Sequence, residues 1–443
     1  MKRIFKDHNF LSLATNGASA AFGLVTFMLL ARFYSTESFG LWVLYLTSFS
    51  FVEMLKAGII HTALVKFLSG KEGKEYKGLI GSSWVLSLLL STPIILIIHG
   101  SYLLFADQIA SVGLLLFFKW YPLLSIIILP FNYGNWVQQA RLKFGRILLL
   151  RILNPSLFLV LVLGNLVWQL DIEGVVLLHL SAYAFASLFT ILKGWSGVSY
   201  IRLVSKAHLS KLFHFGKYSL GTLLGTNLLK SADALLIGFF LGPAYAALYS
   251  IPVRLTEMIE IPLRGLVSAA LPRLAKASNA NDTARVRQIF YEYAGVLTLI
   301  FIPFMILAFV FAEELVLIAG GEKYLVSADI FRIFTIYGLF LSIDRFTGVT
   351  LDAINKPNYN LVKVILMASA NAIGDLVVIL FIGELWAVAM ITILNVITGV
   401  VIGWWFLNGE MKIRLSVLLR TGWQMLHQLL ASRLSPTVHK SKA

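Results

Sequence analysis

The chain has 443 residues, of which 58% are hydrophobic and only 13% are charged, and its mean hydropathy is +0.82. Soluble domains carry about 25% charged residues, so this composition excludes an ordinary water-soluble protein and predicts an all-α polytopic membrane protein. The absence of cysteine excludes disulfides, a thiol nucleophile and cysteine-based metal sites, while the formal net charge of +15 has to be interpreted by its position along the chain.

The N-terminus resembles a secretory signal, because three basic residues precede an apolar run. The run from about Phe10 to Leu30 is nevertheless as long as a full span and lacks a small-residue cleavage site. We therefore interpret it as an uncleaved first helix.

Twelve apolar runs are long enough to span a bilayer, which requires about 20 residues each. They lie at about 10–33, 39–61, 78–98, 112–130, 147–168, 174–193, 214–239, 245–270, 289–311, 327–350, 360–382 and 385–407. Two six-helix lobes are predicted from this count, at 1–200 and 201–407, followed by a basic cytoplasmic tail at 408–443.

Lys and Arg concentrate on one side of this predicted topology. The N-terminal tail, the C-terminal tail and the segments near 62–77, 131–151, 193–217, 271–288 and 351–363 are basic. The loops on the opposite side hold a single basic residue, Lys323. This positive-inside pattern predicts that both termini are cytoplasmic. Topology thus accounts for most of the net charge, and we expect no nucleic-acid partner.

The tail after Leu407 carries leucines at helical spacing with arginines among them. The apolar positions are Leu415, Leu418, Leu419, Trp423, Leu426, Leu430 and Leu434. We interpret this segment as an amphipathic helix that lies on the membrane surface.

An internal repeat relates the two halves of the chain. A shift of 207 residues aligns the second span with the eighth, so that Glu53 meets Glu260 and Gly58 meets Gly265. Six spans per half is an even number, so the halves are parallel repeats, related by a pseudo-twofold along the membrane normal. Two such lobes enclose a cleft that can open to either side, which favours a transporter over an enzyme.

Polar side chains form two stripes within the spans of the second half. They are Thr222, Thr226, Lys230 and Asp233 in the seventh span and Arg254, Glu257, Glu260 and Arg264 in the eighth. A charge at the bilayer centre costs at least ~2.5 kcal/mol, so both stripes must face away from lipid. We interpret them as the wall of a hydrophilic, partly cationic cleft. The alternative is ion pairing within each stripe, which would only hold the lobe together.

Other charges lie singly or in pairs within the spans. Glu53 and Lys56 are one turn apart in the second span and either pair or line the cleft, and Lys56 could also snorkel to the headgroups. Arg332 and Arg345 in the tenth span are further cleft candidates. Asp375, in the eleventh, has no obvious local basic partner and is a candidate proton or sodium site, or else bonds helices together.

Basic groups in a cleft of low dielectric suit a cargo that carries phosphate. Lys230 and Arg254 lie at matching depth on consecutive antiparallel helices, and we predict that they bind the phosphate. In the empty state, Asp233 and Glu257 would neutralise them. Nearby aromatic side chains would either stack on sugars or form the interfacial belt. These are Trp42, Tyr45, Tyr245 and Tyr249.

Motifs for nucleotide hydrolysis and metal catalysis are absent from the sequence, which contains neither G-x-x-x-x-G-K-[ST] nor H-E-x-x-H. We therefore predict that the protein is not an enzyme and has no metal or other cofactor. Either coupling to a Na⁺ or H⁺ gradient or downhill flow of the cargo must supply the work.

Two segments resemble bacterial polysaccharide (O-antigen) flippases, the oligosaccharidyl-lipid branch of the multidrug/oligosaccharidyl-lipid/polysaccharide exporter superfamily. One joins the first two spans, from Ala31 to Trp42, and the other is its second-lobe counterpart, from Leu241 to Tyr249. Phe301-Ile302-Pro303 and the loop from Gly320 to Tyr324 are also similar to that family.

The resemblance implies an inner-membrane flippase that turns undecaprenyl-pyrophosphate-linked oligosaccharide from the cytoplasmic to the periplasmic leaflet by alternating access. The charged head would cross in the cleft, while the polyprenyl tail stays among the membrane lipids through a side opening. Polysaccharide assembly proteins are the expected partners. The alternatives are a cation-coupled multidrug exporter of the same superfamily and a membrane glycosyl polymerase or ligase. The exporter usually needs acidic pockets, and the enzyme normally has a long extracytoplasmic loop.

Overall fold

The computed structural model describes residues 8–434, and within this range the side chains of residues 8–16, 218–230, 268–269 and 429–434 lie outside the description. The described chain contains helices and connections but no strand, and about 90% is helical. The predicted all-α class is confirmed.

Fifteen α-helices follow one another along the described residues. They are α1 (His8–Phe33), α2 (Thr36–Leu68), α3 (Gly73–Ser111), α4 (Leu115–Ile127), α5 (Leu129–Ala140), α6 (Phe144–Trp168), α7 (Ile172–Leu192), α8 (Lys206–Phe240), α9 (Pro243–Asn279), α10 (Thr283–Val310), α11 (Ala312–Gly320), α12 (Ala328–Ala353), α13 (Pro357–Phe381), α14 (Leu385–Met411) and α15 (Leu415–Leu434). Two short 3₁₀ helices, Val198–Leu203 and Glu322–Ser327, lie in connections. Each predicted span coincides with a helix or, in one case, with a pair of helices.

By length and composition, eight of the described helices can cross a membrane, or nine if the pair α4 and α5 is one span. The helices α1 and α8 are only partly described, and α9 carries the charged stripe, so the number of twelve stays a prediction. The fourth span is a broken one, because α4 and α5 meet at an angle of 46°. Pro130 lies at the start of α5 and cannot donate a hydrogen bond to the preceding turn, which explains the bend.

The chain packs into two compact units, and the first contains the residues up to Ile251 together with Leu317–Tyr324 and Ile379–Gly383. In unit 1, α2 packs extensively against α8, and α1 packs against α6. A buried core lies between α2, α3 and α5, where the rings of Trp84 and Tyr133 stack with centroids 4.2 Å apart.

The two ends of unit 1 gather the connections that the predicted topology places on the same side. At one end, the Tyr34 hydroxyl, from the α1–α2 connection, donates to the Leu170 carbonyl at 2.7 Å in the α6–α7 connection. At the other end, Trp84 near the start of α3 donates to the Ser196 carbonyl at 3.0 Å in the connection that follows α7. This grouping agrees with alternating spans, while the assignment of one end to the cytoplasm stays a prediction.

Unit 2 contains Pro252–Val316, Leu325–Val378 and the residues from Glu384 onward. In this unit α12 packs against α14 and α10, and α10 packs against α15. Gly295 of α10 and Gly422 of α15 meet backbone to backbone, because a Cβ at Gly422 would lie 2.4 Å from the Gly295 carbonyl carbon. Glycine alone permits this close helix contact.

The predicted helix in the tail is present as α15, with Leu418 buried and Trp423 exposed. The side chains of Leu430 and Leu434 lie outside the described residues. The surface location of α15 and the predicted lobes at 1–200 and 201–407 stay predictions, because the compact units are defined by packing and unit 1 includes α8.

The topology can be checked with reporter fusions. We expect fusions after Gly73, Ser278 and Leu415 to report the cytoplasm, because these residues lie in the basic segments, and a fusion after Gly321 to report the opposite side. Alkaline phosphatase and fluorescent-protein activities measure both locations. A phosphatase signal at any of the first three positions would contradict the model.

Candidate functional site

The charged stripe of α9 forms ion pairs whose side chains remain partly exposed. Arg254 Nη1 lies 2.8 Å from Glu257 Oε2, and these side chains are 37% and 45% exposed. Glu260 lies one turn further along, and its Oε1 is 3.8 Å from Nη2 of Arg345 in α12. Arg264 is exposed on the same helix. The structure therefore brings the candidates Glu260 and Arg345 together across two helices and pairs Arg254 within its own helix.

On α8, the Asp233 carboxylate accepts a hydrogen bond from the Tyr249 hydroxyl at 2.9 Å. The side chain of Lys230 lies outside the described residues. The predicted phosphate site at Lys230 and Arg254 therefore stays a prediction.

A second polar cluster lies inside unit 1. Lys56 Nζ is 2.6 Å from Glu53 Oε1 and donates a hydrogen bond of 2.6 Å to Ser125 Oγ. The Lys56 side chain is 4% exposed and that of Glu53 is 11% exposed, beside a small cavity that is also lined by Ser91 and Asn132. Because Lys56 is buried between helices, the alternative that it snorkels to the headgroups is wrong. Its ammonium is satisfied by neighbours and is not displayed toward an open surface.

Arg332 lies in a different place from the other basic candidates. It is in the first turns of α12, where Nη1 is 2.5 Å from Asp329 Oδ1 and Nη2 is 2.7 Å from Glu313 Oε1. Two carboxylates at the predicted outer end thus neutralise it.

Most of the aromatic candidates belong to the packed core. Trp42 and Tyr45 are buried around His179, and the Tyr45 hydroxyl is 3.1 Å from its Nδ1. Tyr249 is buried as well, while Tyr245 is partly exposed. The three buried rings are therefore neither an interfacial belt nor a stacking surface for sugars.

Sequence reasoning missed a buried ion pair in unit 2, because it assigned Lys363 to a cytoplasmic connection. In the structure Lys363 lies in α13, and its Nζ is 2.6 Å from Asp344 Oδ1 of α12. Nζ also donates to the Asp344 carbonyl at 2.8 Å and to Thr347 Oγ1 at 3.1 Å. The available signal was Pro357, since proline favours the first turn of a helix and places residue 363 within one.

Two glycines of α14 make room for this ion pair. A Cβ at Gly399 would lie 2.5 Å from Asp344 Oδ1, and one at Gly403 would lie 2.4 Å from Thr347 Oγ1. Glycines four residues apart are a common means of close helix packing in membranes. The Lys363–Asp344 pair and the two glycines together hold α12, α13 and α14 in contact.

Asp375 is fully buried in α13 among carboxamides. Asn371 Nδ2 donates to Asp375 Oδ2 at 2.7 Å, and Asn395 Nδ2 of α14 donates to Asn371 Oδ1 at 3.1 Å. Carboxamide side chains can rotate to present oxygen in place of nitrogen. This cluster therefore offers a carboxylate and two amide oxygens, which are ligands for a hard cation.

The buried pair in unit 2 gives a stability prediction. Lys363→Met leaves the buried Asp344 carboxylate uncompensated and should lower the unfolding free energy by about 3–5 kcal/mol. The midpoint of thermal unfolding in detergent measures the effect. Adding Asp344→Asn should recover part of the loss, because the orphaned charge is removed.

The matched control is Lys356→Met, whose ammonium forms a half-exposed pair with Glu410 at 2.8 Å. Exposed pairs contribute little, so this variant should unfold like the wild type. Equal unfolding midpoints for the two lysine variants would contradict the structural role of Lys363.

Comparison with known proteins places these features in a family. A family model described as a polysaccharide biosynthesis protein matches residues 29–329. The chain is 23% identical over 203 residues to a probable low-salt glycan biosynthesis flippase, Agl15, of Haloferax volcanii, and the match covers 46% of this chain and 43% of that protein.

Solved structures with a similar fold are transporters. An inward-facing multidrug resistance MATE family transporter of the MOP superfamily has a TM-score of 0.73 at 15% identity, with 94% of this chain and 96% of that chain covered. The lipid II flippase MurJ in an inward closed conformation also has a TM-score of 0.73, at 16% identity, with 98% and 94% covered. At identities of 15% and 16%, these similarities show a shared fold and no more.

Proposed function

The chain belongs to the polysaccharide biosynthesis protein family, and on that premise we propose that it turns a polyprenyl-pyrophosphate-linked oligosaccharide from the cytoplasmic to the outer leaflet. The similarity to a glycan biosynthesis flippase and the fold shared with MurJ support a lipid-linked cargo. The observation that carries the proposal is the half-exposed pair of Arg254 and Glu257 on α9. Arg254 is thus a cation within a membrane protein that a ligand can still reach.

The proposed mechanism is an exchange of partners at Arg254. A guanidinium binds phosphate through two parallel hydrogen bonds, so an arriving pyrophosphate can displace Glu257 from it. The displaced Glu257 carboxylate is 45% exposed, so other polar groups or water can compensate it once the phosphate has taken its place. A cargo that releases such a pair interacts differently with the two states of the transporter, and this difference is what drives alternating access.

We propose that Na⁺ couples to this cycle at Asp375. The buried carboxylate lies beside Asn371 and Asn395, which can turn their amide oxygens inward. A monovalent cation would neutralise the carboxylate and tie α13 to α14, so its binding would favour one arrangement of these helices.

The second candidate function is export of cationic drugs, which the similarity of fold to a MATE transporter favours. The basic groups on α9 and α12 argue for an anionic cargo, because a cationic drug would meet Arg254 and Arg345. The two functions differ in the sign of the charge that the cleft must accept.

Translocation in proteoliposomes tests the proposed cargo. With a fluorescent polyprenyl-pyrophosphate oligosaccharide and a membrane-impermeant glycosidase as readout, Arg254→Ala should slow translocation by at least about tenfold, which corresponds to ~1.4 kcal/mol of lost phosphate binding. Arg254→Lys should retain part of the rate if charge suffices.

Arg420→Ala serves as the control, because Arg420 is exposed on α15 and lies outside the stripe. It should translocate at the wild-type rate. Wild-type protein that moves a cationic dye but not the lipid-linked sugar would support the exporter instead.

Thermal unfolding in Na⁺ tests the coupling site. Na⁺ should raise the unfolding midpoint of the wild type relative to choline, and Asp375→Asn should abolish the shift, because binding to the folded state stabilises it. Asp329→Asn, which removes an exposed carboxylate, should keep the shift. A shift that follows pH and ignores Na⁺ would identify H⁺ as the coupling ion.

A further inference from the structure

At the predicted outer end of unit 1, a basic side chain near each of two helix ends donates hydrogen bonds to the carbonyl groups of the other. Arg32, at the end of α1, donates through Nη2 to the carbonyls of Leu317 at 3.1 Å and Ile318 at 2.8 Å, near the end of α11. Lys323, which follows α11, donates through Nζ to the carbonyl of Arg32 at 3.2 Å and to that of Tyr34. The last carbonyls of a helix have no partner within it and carry partial negative charge, so each cation stabilises the opposite helix end.

An apolar contact accompanies these hydrogen bonds. The rings of Phe39 and Tyr324 are both fully buried and meet edge to face, with centroids 6.1 Å apart. One ring belongs to the start of α2 and the other to the segment that contains Lys323. We name the two cations, their carbonyl partners and this ring pair the outer clamp.

A close backbone contact lies at the start of α9. A Cβ at Gly40 would lie 1.8 Å from the carbonyl oxygen of Pro243, so the two backbones touch. The outer clamp and this contact both join the first half of the chain to segments of its second half.

The polar part of the outer clamp is suited to repeated opening. Arg32 and Lys323 are exposed, so water can take over their hydrogen bonds when the two helix ends separate. Separating a buried pair such as Lys363 with Asp344 would instead leave two uncompensated charges away from water. The clamp is therefore strong enough to hold one arrangement and weak enough to release it.

We propose that the outer clamp is the lock that holds the outer end closed and that must open before the cargo can leave. This inference rests on the proposed transport function, because only a transporter needs the outer end to open. The contacts join residues 285 to 291 positions apart in the chain, and all of them lie within unit 1, so the end of α1 cannot move away from the end of α11 while the clamp is intact.

Thiol labelling tests the lock without any cargo. The chain has no cysteine, so Leu44→Cys introduces a single thiol at a buried position of α2, one turn below Gly40 and packed on Gly238. A membrane-impermeant maleimide added outside should label it slowly. Adding Arg32→Ala or Lys323→Ala should accelerate labelling by about tenfold, the effect of removing one charge-assisted hydrogen bond.

Lys119→Ala is the matched control for these variants. Lys119 is also basic and at the outer end, but it pairs with Glu173 at 2.5 Å, and both belong to the first half. It should leave labelling at the wild-type rate. Equal labelling rates in all four proteins would overturn the proposal, whether or not the cargo is a lipid-linked sugar.

Crosslinking provides the converse test. A Cβ at Gly321 lies 3.8 Å from Cγ of Arg32, so Arg32→Cys with Gly321→Cys can be joined by a short bifunctional thiol reagent that reducing agent cleaves. The crosslinked protein should lose translocation and regain it on reduction to the rate of the same double variant before crosslinking, which also accounts for the strain of a side chain at the left-handed Gly321. The pair Lys119→Cys and Glu173→Cys, joined within the first half, should keep translocation. Undiminished translocation in the crosslinked clamp would show that these contacts are a permanent helix cap.

Discussion

The cost of placing charge in hydrocarbon governs how these helices meet. An unpaired charge there is prohibitive, so each buried cation must find a carboxylate within the protein. Lys363 finds Asp344 on the neighbouring helix, and Lys56 finds Glu53 on its own. In the first case, α14 has glycines at the contact and α13 carries the lysine, so the requirement of one charge fixes the arrangement of three helices.

The same rule separates structural charges from those available to a ligand. Lys363 makes three contacts with oxygen and is buried, so removing the Asp344 carboxylate leaves its charge uncompensated. Arg254 and Glu257 are more than a third exposed, so a ligand can approach either of them. Exchange of one anion for another is therefore feasible at Arg254 and disruptive at Lys363.

The helices were predictable because hydrocarbon imposes a length and an apolar composition on each of them, and both can be read locally. The packing partners of each helix were not predictable from the sequence. The predicted fourth span ended at 130, but the chain bends at Pro130 and continues as α5 to Ala140. Lys363 and the ring cluster around His179 were missed for a related reason, since the sequence does not reveal which helix faces which.

The short segments that resemble the flippase family meet at the predicted outer end of unit 1. The segment from Ala31 to Trp42 supplies Arg32, Phe39 and Gly40, and its counterpart supplies Pro243. The loop from Gly320 to Tyr324 supplies Lys323 and Tyr324. These segments, which are far apart in the sequence, thus form two contacts between the halves of the chain. The segments are short because each contact needs only one turn of helix.

The repeat preserves one buried acid in each half but gives it different partners. The carboxylates of Glu53 and Glu260, aligned by the shift of 207 residues, are 11% and 12% exposed. Glu53 pairs within its own helix at 2.6 Å, so movement of neighbouring helices leaves that distance unchanged. Glu260 pairs with Arg345 of another helix at 3.8 Å, so any displacement of α9 against α12 alters it. Because Arg254 and Glu257 lie on the same helix as Glu260, an anion bound there acts on the element whose ion pair depends on helix position. The two aligned acids therefore differ in one respect: the Glu260 ion pair depends on the position of α9 against α12, whereas the Glu53 ion pair is set within α2.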